Sequence, residues 1–184
     1  MRVVLDACVL VPTVLRETLL AVAAAGHFQP LWSQKLLDEW ESAAGKSGPA
    51  ARLIARGEAV ALGVKWPGAL VARGAFVAFA PEMADPDDLH VVETAVEGGA
   101  GLIVTQNLRD FPARALARFG LSALDPDRFL YQTWTDDPAG VAVAVEGVRA
   151  EAARLSGTEM PLRPLMKRAG LPRLGKALSM ADGG

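Results

Sequence analysis

The chain opens on the aliphatic run Val3-Val4-Leu5, closed by an aspartate at position 6. A short β-branched run bounded this way predicts a buried strand over Arg2–Leu5. Pro12 and Thr13 open a helical pattern that Gly26 stops, which predicts a helix to about Ala25. Residues 28–33, "FQPLWS", predict a second short strand, and Ser33 stands where an N-cap is needed for a helix over "QKLLDEWESAAGK". Another helix is expected over 49–63, broken at "WPG" (66–68), and "AFVAFA" (75–80) reads as a strand. The stretch "MADPDDLHVVETA" (83–95) leads into a helix with Val91, Val92, Ala95 and Val96 on its apolar side, ended at Gly98-Gly99. "GLIVT" (101–105) reads as a buried strand, "QNLRDFP" as a loop, Pro112 as the start of a short helix, and "SALDPDRFL" as one more strand or turn.

Strands alternating with helices predict an α/β fold, a three-layer α/β/α arrangement around a central parallel sheet. From about residue 135 the pattern changes. "DDPAGVAVAVEGVRAEAARL" is an amphipathic helix and "MPLRPLMKRAGLPRLGKAL" one or two short helices. We therefore expect a domain over 1–134 and a C-terminal helical extension over 135–184.

Composition narrows the chemistry. The formal charge is −2, so a nucleic-acid partner would have to be met by a local basic patch. The one cysteine, Cys8, excludes an internal disulfide and a cysteine-built zinc site, and two histidines, His27 and His90, argue against a His-rich metal site. The N-terminal apolar run has a superficial likeness to a signal peptide, but Asp6 interrupts it. No uncharged apolar run reaches the roughly 18 residues of a membrane span. The chain reads as cytoplasmic, with no membrane partner.

The acids carry the chemistry. In an open parallel sheet, ligands bind beyond the carboxyl ends of the strands, and Asp6 ends the first strand. Capping of the next helix fits poorly if that helix begins at Pro12. In "DPDD", Asp85 fits an N-cap with Pro86 at N1, and Asp87 fits the favourable end of the helix dipole. Asp88 shares the face of Val91, Val92 and Ala95 and so turns inward. Glu39 borders the buried positions Leu36, Leu37 and Trp40, with Asp38 and Glu41 as alternatives on the wetter side, and taken alone fits a solvated helix glutamate equally well. Thr105 ends its strand at the same edge as Asp6; Asn107 and Asp110 lie in the loop beyond, which taken alone fits an Asx-rich turn equally well. Together, carboxylates converging at one sheet edge need a cation among them. With so few His and Cys residues, that cation is a hard one held by oxygen, Mg²⁺ or Mn²⁺. The implied chemistry is phosphodiester hydrolysis.

The succession "VVLDACVL … LWSQKLLDEW … DPDDLHVVETAVEGGAGLIVTQNLRDF", over about residues 2–130, resembles the PIN-domain nucleases, and most closely the VapC-like toxin ribonucleases of type II toxin–antitoxin pairs. The resemblance implies a PIN-like α/β/α fold and a metal-dependent endoribonuclease that leaves 5′-phosphates. It matches Asp6, Glu39 and Asp88 to the first three acids as catalytic and metal-holding residues, offers Asp110 as the candidate fourth, and sets Thr105 and Asn107 to substrate positioning, where Arg109 joins them by its place inside the same loop. Asn107, where many members carry an acid, leaves open whether Asp110 supplies the fourth carboxylate and whether one or two metals bind. Cys8 stands where relatives carry Asn or Ser, and we expect it to pack. Lys35, Lys46, Arg52, Arg56, Lys65 and Arg109 are candidates for holding RNA. Trp32 and Trp40 are expected in the core and His90 on the wetter face. The resemblance further implies a small antitoxin partner and a homodimer. Two alternatives stay open: a PIN nuclease in RNA processing outside toxin–antitoxin systems, and a PIN scaffold that binds without cutting. A receiver-like phosphoacceptor would need paired acids after the first strand and a lysine near the end, a set absent here.

Overall fold

In the computed structural model of the chain, which describes residues 1–79, 83 and 85–181, the opening aliphatic run is strand β1 (Arg2–Leu5). Val3, Val4 and Leu5 are fully buried, as expected of a strand in a covered parallel sheet. A four-residue helix, α1 (Ala7–Leu10), follows at once, and α2 (Thr13–Ala24) follows that. Next come β2 (Gln29–Ser33), α3 (Gln34–Gly45), α4 (Pro49–Lys65) and β3 (Leu70–Val71). Ser33 caps α3 as expected, its hydroxyl accepting from the Leu36 N–H. A 3-10 turn (Pro86–Asp88) leads into α5 (Leu89–Glu97), and then β4 (Leu102–Val104). A second 3-10 turn (Leu108–Asp110) precedes α6 (Ala113–Ala117) and β5 (Ser122–Leu124). The remaining helices are α7 (Pro126–Asp136), α8 (Pro138–Ser156), α9 (Leu162–Arg168) and α10 (Pro172–Ala181). Among the described residues, no helix is long and apolar enough to cross a membrane.

The five strands form one parallel sheet in the order β3-β2-β1-β4-β5, with flanking helices, the α/β/α class expected from the alternation. Progress along the sheet runs one way from β1 through β2 to β3 and the other way through β4 to β5. The switch point lies between β1 and β4, where Val3 pairs with Leu102 and Leu5 with Val104. This register fixes the site, because the residues that follow the two strands, Asp6 and Thr105, emerge side by side at their carboxyl ends.

Two expectations are corrected. "AFVAFA" is not a strand over its described part, 75–79; Ala80 lies outside the described residues. Its backbone donors go to side chains of α5 instead of a strand. The Phe76 N–H donates to Glu97 and the Ala78 N–H to Glu93, while Leu70–Val71 takes the free edge of β2. "SALDPDRFL" is more than one strand or turn: after β5, Asp125 caps α7, with Pro126 at N1. The same Asp-Pro step starts the 3-10 turn at Asp85 and α8 at Asp137, each carboxylate accepting a backbone N–H inside the turn it opens.

The chain divides into two compact units, Met1–Val11 with Gln29–Leu124, and Pro12–Phe28 with Asp125–Gly184. The first carries the whole sheet, with a core of strand residues, Trp32, Leu36 and Trp40 from β2 and α3, and Val91, Val92 and Ala95 from α5. The second is helical. Leu15, Leu19 and Val22 of α2 are buried in it with Phe129 and Leu130 of α7, Val141 and Val145 of α8, and Leu165, Met166, Leu174 and Leu178 of α9 and α10. Phe28 meets Phe129 edge to face at 5.0 Å. Gly175 marks the closest crossing of α9 and α10: a Cβ there would stand 2.7 Å from the Cβ of Met166.

One buried carboxylate ties α7 to α10 within this second unit. The Asp127 carboxylate, on α7, accepts from the Arg173 N–H at 2.9 Å and the Leu174 N–H at 3.0 Å, the free donors of the first turn of α10. Charge-assisted bonds to orphan donors are worth roughly 1.5–3 kcal/mol net. Asp127→Ala is expected to lower the melting temperature by about 4–8 °C, read by circular dichroism, with Asp127→Asn intermediate. A melting temperature unchanged in the alanine variant would show that this cap does not hold α10.

Candidate active site

Asp6 sits where β1 ends. Its N–H donates to the Val104 carbonyl at 3.1 Å, extending the β1–β4 pairing by one residue. The sequence argument set capping aside because the next helix was expected at Pro12. In fact α1 begins at Ala7, so Asp6 occupies the N-cap position, yet its side chain makes no capping bond. The carboxylate, 7% exposed, accepts instead from Thr105 Oγ1 at 2.6 Å and from Cys8 Sγ at 3.1 Å, both on Oδ2. Thr105 Oγ1 in turn accepts from the Asn107 N–H at 3.0 Å, and Cys8 Sγ accepts from the Gln106 N–H at 3.2 Å. Cys8, expected merely to pack, thus joins α1 to the loop after β4. Burial, with the Asp6 charge beside it, pushes its thiol up to about 12 and keeps it a protonated donor.

Asp88 approaches from the start of α5. Asp85 spends its carboxylate on the Asp87 N–H and Asp87 is exposed, as the pattern predicted, whereas Asp88 is half-buried with no capping bond. Its carboxyl is pushed up to about 6, first by burial and then by the charges of Asp6, Asp85 and Asp110, with His90 opposing. Asp6, Asp88 and Asp110 therefore share one electrostatic neighbourhood. Asp110 is placed there by the 3-10 turn after Asn107, its N–H bonded to the Asn107 carbonyl at 2.9 Å, with Phe111 buried behind it. Arg109, in the same turn, is open to solvent, its Nε 3.6 Å from Asp110. Asn107 is exposed, and its side chain caps nothing.

Glu39 is placed differently. It is not among the charges that bear on Asp88; its Oε1 lies 2.9 Å from His90 Nε2 and 3.9 Å from Lys35 Nζ. His90 was expected on the wetter face. Its side chain is only 11% exposed, because the first turn of α5 carries it against α3 and Glu39. A spacing of two from Asp88 was the one signal in the sequence that could have drawn attention to it. Lys35 also reaches the Asp87 carbonyl at 3.5 Å, so one lysine of α3 spans both groups. Of the other proposed RNA-holding cations, Arg52 is paired with Glu41 at 3.0 Å, while Lys46, Arg56 and Lys65 are exposed. Trp32 and Trp40 are in the core, as expected. A cleft of about 660 Å³ opens beside this region, lined by Lys35, Asp38, Phe76, Asp87, His90 and Glu93 among others.

The donor set at the switch point suits a hard cation, since carboxylate oxygens dominate it and their mutual repulsion is what a cation relieves. As they stand, no three His, Cys, Asp or Glu side chains among the described residues come close enough to hold one ion. Mg²⁺ does not require three, because it is commonly bound through one or two carboxylates and completes its shell with water and substrate phosphate.

A parallel α/β sheet with carboxylates gathered about the strand ends at its switch point defines the class. The sequence model of the PIN domain matches residues 2–109, more than half of the chain, and the chain belongs to that family. No curated protein and no solved structure matches it significantly. The family implies nuclease activity in general, of a kind that generally depends on divalent metal ions.

The raised Asp88 carboxyl makes a stability prediction. Its ordinary value is 3.8, so between about pH 4 and 6 the folded state keeps a proton that the unfolded state has released. Stability therefore falls as pH rises through this window. Since the group is partly open to water, its penalty above pH 6 is about 1 kcal/mol rather than the full value of the shift. With chelator present at pH 7.5, Asp88→Asn is expected to melt about 2–4 °C above the parent chain, the gap closing towards pH 5. A gap that stays constant with pH would show that Asp88 is not crowded.

Proposed function

We propose that the chain is a metal-dependent endoribonuclease, a VapC-like toxin of a type II toxin–antitoxin pair acting in the cytoplasm. Asp6, Asp88, Asp110 and Glu39 are its catalytic and metal-holding residues, and Mg²⁺ or Mn²⁺ is its cofactor. The observation that carries this reading is the crowding of Asp88 by Asp6 and Asp110 at the switch point, in a family of nucleases. When bound among these acids, a divalent cation supplies charge neutralisation at the scissile phosphate and a water of lowered pKa.

The chain's own residues do the rest. Thr105 and Cys8 hold the Asp6 carboxylate in one orientation by their bonds to Oδ2. Asn107 supports Thr105 through its backbone N–H, and Arg109, exposed in the same loop, offers its guanidinium to a phosphate. Lys35 and His90 hold Glu39, which would serve the cation directly or through water. The adjoining cleft, with Lys35 and His90 on its wall, is of a size to take a nucleotide of the RNA strand.

We propose a neutralising antitoxin protein and a second copy of this chain as its protein partners. The support is the apolar face that α4 leaves exposed, with Leu53 71%, Ile54 62%, Val60 66% and Val64 79% open.

Asp6→Asn and Asp88→Asn are each expected to reduce Mg²⁺-dependent RNA cleavage by at least about 10³-fold while the protein stays folded. The measurement is cleavage of total RNA with Mg²⁺ or chelator, followed by sequencing of 5′-phosphate ends. Cleavage by either variant at the parent rate, or cleavage undiminished by chelator, would refute the assignment.

A further inference from the structure

The cations of the chain are unevenly distributed. Arg163, Lys167, Arg168, Arg173 and Lys176 fall between Met160 and Ala181, a stretch with no Asp or Glu, in a chain whose overall charge is −2. All five are exposed. They decorate one helical hairpin, α9 and α10, whose inner faces are buried through Leu165, Met166, Leu174 and Leu178. Among the described residues, none of the five has a carboxylate within ion-pair distance. On neighbouring α8 the opposite holds: Arg149 is paired with Glu146 at 2.6 Å and Arg154 with Glu151 at 2.7 Å.

The helix dipole accounts for only part of this. Lys167 and Arg168, in the last turn of α9, are favoured there. Arg173 is in the first turn of α10, where a cation is disfavoured, and Arg163 and Lys167 repel at i,i+4. The N–H donors at the start of α10 are already taken by Asp127, so an anion would be met by side chains and not by the helix end. Five exposed cations on one hairpin, without ion-pair partners among the described residues, fit a ligand that brings many negative charges. Among the described residues of the hairpin, Met180 at the end of α10 is the one large apolar side chain that is exposed, too little to anchor it in a bilayer, which favours a phosphate backbone over a membrane surface.

We propose that the α9–α10 hairpin is a second nucleic-acid-binding surface, which holds the phosphate backbone of a single-stranded substrate through Arg163, Lys167, Arg173 and Lys176. It carries no base readout, so it contributes affinity and on-rate without sequence preference. The inference rests on the nuclease reading for its choice of polyanion.

The test uses the full chain carrying Asp6→Asn, titrated by fluorescence anisotropy against labelled oligouridylate of about twenty nucleotides across a salt series. Each phosphate contact to a single strand contributes about 0.7 to the log–log salt slope, or about fivefold in affinity near 0.1 M salt. Joint replacement of Arg163, Lys167, Arg173 and Lys176 by Gln should weaken binding by about 10²-fold or more. It should also flatten the slope by about 3. Exchange of the two arginines for lysine should preserve both, and the α8 control Glu151→Gln with Arg154→Gln should change neither. If the fourfold variant fails to fold, the double variant Lys167→Gln, Lys176→Gln should lose about half the effect. Unchanged affinity and slope in a variant with the parent melting temperature overturn the proposal, as does binding of this face to phosphatidylserine vesicles but not to RNA. The nuclease reading is judged separately, by cleavage in the chain with Asp6 intact. Hairpin-dependent binding without cleavage sustains this surface and removes that reading; cleavage with hairpin-independent binding does the reverse.

Discussion

The bond from Thr105 Oγ1 to Asp6 Oδ2, at 2.6 Å, is the contact on which the rest of the site is built. It follows from the register of β1 against β4, which brings Asp6 and Thr105 out side by side where the sheet order reverses. The bond fixes a carboxylate that is 7% exposed and would otherwise carry its charge into the protein with little to offset it. Cys8 adds a second donor to the same oxygen and accepts from the Gln106 N–H, so the ends of two strands, one helix start and one loop meet on a single carboxylate.

Around that fixed charge the acids divide by surroundings. The start of α5 and the turn after β4 carry Asp88 and Asp110 near Asp6 against their mutual repulsion, and burial and neighbouring charge together push Asp88 up to about 6. Glu39 is compensated, held by His90 of α5 and by Lys35 one turn back on its own helix. The arrangement sets a crowded acidic pole beside a better compensated one, and a divalent cation has more to gain at the first. Such crowding lowers the stability of the fold, a cost commonly found at sites kept for function.

The helical unit is held by different means. Asp125 and Asp137 open their helices with the Asp-Pro step, and Asp127 reaches from α7 to the start of α10. These three carboxylates are spent on backbone donors, and among the described residues the cations on the surface of α9 and α10 have no carboxylate within ion-pair distance of their side chains. One unit presents acids that bear on one another and the other, among its described residues, five cations on α9 and α10 without an ion-pair partner, although the composition of the whole chain is nearly neutral.

The sequence by itself determined the class of fold, the strands β1, β2 and β4, the cap at Ser33 and the division of labour within "DPDD". Each of these rests on local rules of periodicity, capping and dipole that operate within a few residues. The membership of the PIN domain family was legible in the same stretches, in their order along the chain. Tertiary structure alone decided that 75–79 spends its N–H groups on Glu93 and Glu97, that α2 belongs with the C-terminal helices, that Cys8 bonds to Asp6, and that His90 faces Glu39. These are contacts between segments far apart in sequence or between side chains whose direction periodicity does not fix. Which donor meets which acceptor there depends on how whole elements pack, and no local pattern encodes that.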